Sequence, residues 1–484
     1  MVYGDKSLVS NGEIVAALGP NIPEIYELHF AVPMAGAVFS PLNIHQDSTA
    51  LAAQFKLLEA KVIFIDYQFL NLVIEAFEIL VKTCTDFEFP LVVLMLETDP
   101  DAKTAADDHQ FLGYKTYDSL LNVENNSGFE ILRPKGEFDP ISIVFTSGTT
   151  GEPKGVVHSH RGAYFTTLAE IIINEMKAMP IYLWTVPMYH CNGWCFTWST
   201  AALGGTNICL RTYDSKFIFD AIVEYNVTNL GGATPVLSLI ANANQNPLPF
   251  KVNIMTGGAP PPPQVVLKIE ELGLFLLTRP GTVYPWWPEY GSFSLQQQAK
   301  TKALHGLNHM LMAAVDVKDP VTMESVPFDG FTLGKVMFRG NTVTKGYYKE
   351  PEKTEVAFMG GWFHTGDIAV RHPDGSIEVK DRKLDLIVSG GKKISTVDVE
   401  AVLFNHPAVF EAGVVGKPDK VVGETVCAFV RLKEGCDDTR SNDIIEYCPA
   451  GYMVPETVVF DELPFTSTGK LKKAVLRERA KALV

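Results

Sequence analysis

The sequence predicts an α/β fold of layered sheets in at least two domains, and three observations predict it. Between Ile141 and Gly258, short apolar runs fit for buried strands alternate with helical segments, which argues for largely parallel sheets covered by helices. The composition, 46% hydrophobic against 20% charged, is ordinary for a globular chain. At 484 residues the chain exceeds what one compact core supports, so it must divide.

The elements follow in order. From Val32 to Asp66 helix-like and strand-like runs alternate, and Lys61 to Asp66 reads as a buried strand, as does Leu91 to Leu96. Thr98 to Gly128 is acidic and polar, with Asp99, Asp101, Asp107 and Asp108, and reads as surface structure. Ile141 to Phe145 is a further buried strand and Lys216 to Tyr225 a helix. The pattern changes at Gly330 to Val370, where strands such as Gly334 to Phe338 and several Gly turns predict a small antiparallel, β-barrel-like subdomain. A domain boundary is expected near Asp381 to Asp385. Beyond it a helix over Val397 to Phe404, a strand over Val426 to Leu432 and a basic helix over Leu476 to Leu483 predict a smaller α+β domain.

Charge and cysteine usage exclude several classes. A net charge of −15 argues against nucleic acid or an anionic membrane as partner, so any phosphorylated ligand must meet local donors. No apolar run reaches the roughly 18 residues of a membrane span. Seven cysteines, none in a CxxC pair, form neither a disulfide framework nor a zinc site. His158 and His160 alternate without a third ligand candidate, so no metal site is expected there. The N-terminus lacks a signal pattern and Lys481 to Val484 is not a Ser-Lys-Leu address, so a cytoplasmic location is expected. Oligomeric state leaves no mark in the sequence.

The most informative stretch is Ile141 to His158. Its apolar strand empties into Thr146-Ser147-Gly148-Thr149-Thr150-Gly151 and closes on Lys154-Gly155. Glycines let backbone N–H groups approach a phosphate, hydroxyls add donors and the lysine adds positive charge. A Walker A loop would need Gly-Lys followed directly by Ser or Thr, so this is a phosphate loop of another kind. Further motifs follow: Pro187 to Trp194 (PMYHCNGW), Thr256 to Pro262 (TGGAPPP), Gly361 to Asp367 (GWFHTGD), Asp381-Arg382 and Thr466 to Lys470 (TSTGK).

In this order, over more than 300 residues, these motifs resemble those of the adenylate-forming acyl-activating enzymes, and PMYHCNGW resembles their plant branch. The resemblance implies an N-terminal AMP-binding domain over residues 1–382 and a mobile C-terminal domain over 383–484. It implies ATP with Mg²⁺, coenzyme A as acceptor and a small-molecule carboxylic acid (short-chain, branched or aromatic) as substrate. A carboxylate attacks the α-phosphorus of ATP, and the coenzyme A thiol then displaces AMP. Lys470, in a flexible turn, would bridge carboxylate and α-phosphate; with Lys472 and Lys473 nearby, the alternative is a solvated surface lysine. Asp367 would accept the ribose hydroxyls and Arg382 would add a fork of donors. Thr146 to Gly151 with Lys154 would hold phosphates, and Gly257, Gly258 and Ala259 would lie against adenine. His190 and Trp194 would line the acyl pocket. Many members of the family are peroxisomal.

The chain also departs from that pattern. Arg279 stands about where the family has a Glu that helps hold Mg²⁺, the reverse of what a divalent cation needs. Leu384 stands at the expected pivot, Lys392-Lys393 add charge after it, and the N-terminus is short. These leave two alternatives: a nucleotide- or acyl-binding pseudoenzyme without turnover, and an adenylating enzyme with another acyl acceptor.

Overall fold

Runs that are apolar at nearly every position become strands covered on both faces. Ile14–Leu18 (β1), Val38–Leu42 (β2) and Val62–Asp66 (β3) are buried along their whole length. The computed structural model describes the chain outside residues 1, 4–5, 97–113, 122–129, 147–152, 258–260, 262, 278–290, 295–296, 299–310, 450, 452, 467–469 and 484. The residues group into two compact units. One comprises 1–148, 152–231 and 341–355; the other comprises 149–151, 232–340 and 356–484.

In the first unit the expected strands at Leu91–Met95 (β4) and Pro140–Phe145 (β6) are joined by Lys115–Thr116 (β5) and Gly155–Ser159 (β7). The sheet runs β7-β6-β2-β1-β3-β4-β5, with the short strand Gly346–Tyr347 on the outer edge of β7. Pairings from β6 across to β5 are parallel; β6 and β7 are antiparallel. Helices α1 (Pro23–Met34), α2 (Ser48–Leu58) and α3 (Leu70–Thr83) cover it. Leu51, Phe55, Val73 and Phe77 pack with Ile63, Leu94 and Ile143 in one core. Asp47 caps α2 by accepting from the Ala50 N–H at 2.8 Å, the use for which a short acidic side chain suits a helix start. Part of the polar region expected to be surface structure is β5 and a helical turn, Tyr117–Leu121; residues 98–113 and 122–128 lie outside the described residues.

The same unit holds a parallel layer of Ile181–Trp184 (β8), Thr206–Cys209 (β9) and Asn229–Gly232 (β10), with β8 central. Against it lie α4 (His160–Ile173), α5 (Phe196–Ala202) and α6 (Ser215–Tyr225), the last capped by Asp214 as the predicted helix requires.

In the second unit Val252–Thr256 (β11) and Leu274–Leu277 (β12) pair in parallel. Ala314–Lys318 (β13), Gly334–Arg339 (β14), Phe363–Arg371 (β15) and Ile377–Arg382 (β16) form an antiparallel four-stranded meander, the change of character read at Gly330 to Val370. Ile387–Ser389 (β17), Lys392–Ile394 (β18), Val409–Asp419 (β19), Gly423–Leu432 (β20) and Thr457–Phe460 (β21) make the last sheet, with β20 between β19, β17 and β21. Helices α7 (Pro263–Glu271), α8 (Thr396–Leu403) and α9 (Lys473–Lys481) are among those of this unit. α9 buries Leu476 and Ala480 against Val415 and Phe429. Glycine at 413 permits this approach, because a Cβ there would lie 2.5 Å from Leu471 and 2.9 Å from Leu476.

Candidate active site

The antiparallel strands β6 and β7 hold the two ends of the phosphate loop together. Thr146 N–H donates to the Lys154 carbonyl at 3.0 Å, and Lys154 N–H donates to Thr146 Oγ1 at 3.1 Å. Gly155 is required by packing, since a Cβ there would come 2.9 Å from Ile143. The Lys154 ammonium lies 4.9 Å from the centroid of the Tyr347 ring. Ser147, Gly148, Thr149, Thr150 and Gly151 lie outside the described residues, as do Gly258, Ala259 and Arg279. Gly257 is buried at the end of β11.

After β8 the PMYHCNGW motif forms a turn of the opposite hand. Cys191, Asn192, Gly193, Trp194 and Cys195 all have positive φ, from 50° to 65°. Left-handed backbone costs roughly 1–2 kcal/mol per non-glycine residue, so the surroundings must hold it. They do so with buried hydrogen bonds. Asn192 Nδ2 donates to Ser142 Oγ at 2.8 Å, tying the turn to β6. Asn21 Nδ2 donates to the carbonyls of Trp184 and Val186, both at 3.0 Å, and its Oδ1 accepts from Met188 N–H. Trp194 N–H donates to the His190 carbonyl at 3.4 Å, so the two acyl-pocket candidates share one turn. His190 is half-buried and Trp194 buried. Asn192 is the residue that sequence reasoning passed over; its signal was the Asn-Gly dipeptide, which favours positive φ.

In the second unit β15 and β16 place Asp367 directly opposite Arg382. Arg382 Nε stands 3.6 Å from Asp367 Oδ1. The pairing register shifts between Ile368 and Ala369, a bulge that leaves Lys380 as an extra residue on β16. Gly366, with φ of 85°, and a bond from Asp367 N–H to Thr365 Oγ1 shape the approach. Burial pushes the Asp367 carboxyl above its ordinary pKa, and Arg382, Thr365 and Lys470 pull it back. The field of Lys470 therefore reaches Asp367. Lys470 is presented by a closed turn: its N–H donates to Thr466 Oγ1 at 2.9 Å, and Thr466 N–H donates to its carbonyl at 2.7 Å. Lys470 and the Asp367–Arg382 pair lie in the same unit.

The neighbours of Lys470 differ from one another. Lys472 is exposed, but the Lys473 side chain is only 12% exposed and ion-paired with Glu400 at 2.8 Å. Leu384 is exposed, and its carbonyl accepts from Arg477 at 3.4 Å. Among the described residues no His, Cys, Asp and Glu cluster that could hold a metal ion is present. Half-buried His158 is held neutral by burial, its pKa lowered to about 4.

Comparison with known proteins adds the lineage. The family model for AMP-binding enzymes matches residues 7–348, and that for the AMP-binding enzyme C-terminal domain matches 398–470. A probable acyl-activating enzyme of Arabidopsis thaliana is 44% identical over 98% of this chain and 87% of its own length. A 2-methylpropanoate–CoA ligase of Humulus lupulus is 42% identical over 98% of this chain and 87% of its own. A peroxisomal acetate/butyrate–CoA ligase of Arabidopsis thaliana is 42% identical over 99% and 87%. Among solved structures, ATP-bound MatB from Rhodopseudomonas palustris superposes with a TM-score of 0.77 at 22% identity, over 98% of this chain and 90% of that one. An anthranilate CoA ligase bound to anthranoyl-AMP does so with a TM-score of 0.80 at 20% identity, over 98% and 89%, so the fold is that of adenylate-forming enzymes. The loop neck, the Asp367–Arg382 pair and the lysine turn thus stand in a chain that belongs to the AMP-binding family of acyl-activating enzymes.

Proposed function

We propose that this chain is an ATP-dependent ligase that joins a small carboxylic acid to coenzyme A through an acyl-adenylate. The observation that carries the reading is the Asp367–Arg382 pair, with Lys470 on a hydrogen-bonded turn of the same unit. A half-buried carboxylate beside a guanidinium suits a ribose, whose hydroxyls donate to Asp367 while Arg382 covers phosphate or ribose oxygens. Lys470 then neutralises the repulsion between substrate carboxylate and α-phosphate and stabilises the charge gained in the transition state. Thr146 and Lys154, with the loop between them, receive the remaining phosphates. Mg²⁺ would offset phosphate charge when bound; no described residue is assigned to it.

His190 and Trp194 would border the acyl group, and a pocket bounded by a buried indole favours short or branched acids. Relatives named as ligases of acetate, butyrate and 2-methylpropanoate support that class, and they give the pseudoenzyme alternative no support. The working division is residues 1–382 for adenylation and 383–484 for the mobile part. A cytoplasmic location is consistent with seven cysteines free of disulfides, although two relatives are named peroxisomal.

Carboxylate-dependent exchange of labelled pyrophosphate into ATP tests the reading without coenzyme A. Exchange is expected with two- to five-carbon aliphatic acids, on the order of tenfold above aromatic ones. A folded sample that binds ATP but exchanges with no acid would overturn it.

A further inference from the structure

The turn that carries Lys470 is anchored on its far side by a buried polar chain that the reaction itself does not explain. Lys473, three residues on, points inward: its ammonium pairs with Glu400 Oε1 at 2.8 Å and donates to Thr396 Oγ1. Glu400 Oε1 also accepts from the Val414 N–H at 2.8 Å, so the carboxylate is fixed to β19. Thr396 passes the chain on. Its hydroxyl donates to Asp381 Oδ2 at 2.6 Å and its N–H donates to the same oxygen at 2.7 Å. The other oxygen of Asp381 accepts from the Arg382 N–H at 2.8 Å. A continuous path of short hydrogen bonds thus runs from the backbone of Arg382 to the helix that begins three residues after Lys470. Arg477, one turn along α9, adds a second tie to Asp385 and to the Leu384 carbonyl.

Burying an ammonium and two carboxylates is costly, and an apolar core of equal volume would be as stable. What an ionic path supplies instead is directional register. Burial alone would push the Lys473 pKa down, yet Glu400, Asp381 and Asp385 hold it above its ordinary value.

We propose that Lys473 is a positioning residue for adenylation: held by Glu400 and Thr396, it sets the Lys470 turn in register with Asp381 and so with the Asp367–Arg382 pair. This rests on the reading of Lys470 as the lysine of the first half-reaction.

The test is Lys473→Met in the full chain, with Lys473→Arg, Thr396→Val and Lys470→Ala beside it. Lys473→Met is expected to lower the maximal rate of pyrophosphate exchange about 10- to 100-fold while the affinity for ATP changes less than about threefold, the signature of misplacing a transition-state contact. Lys473→Arg is expected to recover at least a third of the wild-type rate. Transfer from preformed acyl-adenylate to coenzyme A should stay within about twofold, because the first half-reaction alone needs Lys470 there. Equal loss in both half-reactions would mark Lys473 as structural only and overturn the proposal; so would exchange within twofold of wild type in folded Lys473→Met. Where Lys473→Met does not fold, Thr396→Val decides: about a tenfold loss supports the path, and a wild-type rate overturns it. Wild-type exchange in Lys470→Ala would instead overturn the reading of Lys470 itself, a separate failure.

Discussion

Glu170 shows how far a single side chain can sit from its solution chemistry. It lies on α4 with 1% exposure, and Asn174 Nδ2 donates to its Oε2 at 2.8 Å. Burial pushes its pKa up to about 8, and its presence raises those of buried Tyr182 and Cys195. A carboxyl whose folded pKa is raised lends its full stabilisation below the unfolded value of 4.5 and loses it as pH rises through about 8. The loss is on the order of 4 kcal/mol. Glu170→Gln, which cannot ionise, is expected to gain stability over wild type as pH rises from 5 to about 8 and to hold that gain above it, read as a gap in Tm that widens and then levels. A constant gap would show that the carboxyl ionises in the folded protein at its ordinary pKa. Lys470, Asp367 and Arg382 were legible in the sequence because each lies in a motif whose neighbours are turn-forming or aromatic. Glu170 and Lys473 were not. Whether an acid or an ammonium is buried depends on which strand or helix folds over it, and local sequence carries no trace of that partner.

At the scale of elements, strands such as Val62–Asp66 and Pro140–Phe145 were legible because burial on both faces demands unbroken apolar runs. The left-handed turn at Cys191 to Cys195 was not, since Cys and Trp carry no preference for positive φ. Its hand is imposed by Asn21, Ser142 and Trp184, which lie far away in sequence. Gly193→Ala tests how tightly. A Cβ there would lie 2.4 Å from Cζ3 of Trp184, so the tryptophan must move. A loss of about 2–4 kcal/mol is expected from strain plus overpacking, seen as a lower unfolding midpoint in urea. The same variant should raise the KM for the carboxylic acid more than that for ATP, because His190 and Trp194 ride on the turn. An unchanged midpoint would mean that the turn can relax.

For the molecule as a whole, the thiol inventory gives a direct check on packing. Burial raises the pKa values of Cys195, Cys209, Cys427 and Cys448, to about 12 for Cys209 and about 11 for Cys427. Thiols held so far from ionisation react slowly. Titration of the native protein at pH 8 with an aromatic disulfide reagent should therefore find at most three fast thiols (Cys84, Cys191 and Cys436), and all seven after denaturation. Rapid reaction of five or more would mean that the core opens readily. The extra residue on β16 has a consequence for how this lineage can change length. Lys380 is what sets Arg382, rather than Asp381, opposite Asp367. Were the bulge flattened with Lys380 paired to Ile368, Asp381 would face Asp367 and two carboxylates would meet where a carboxylate and a guanidinium now do. The bulge, and not the number of residues, is therefore what must be kept: deletion of Lys380 would leave Arg382 opposite Asp367 in a regular ladder, whereas drawing Lys380 into the ladder would turn the guanidinium away.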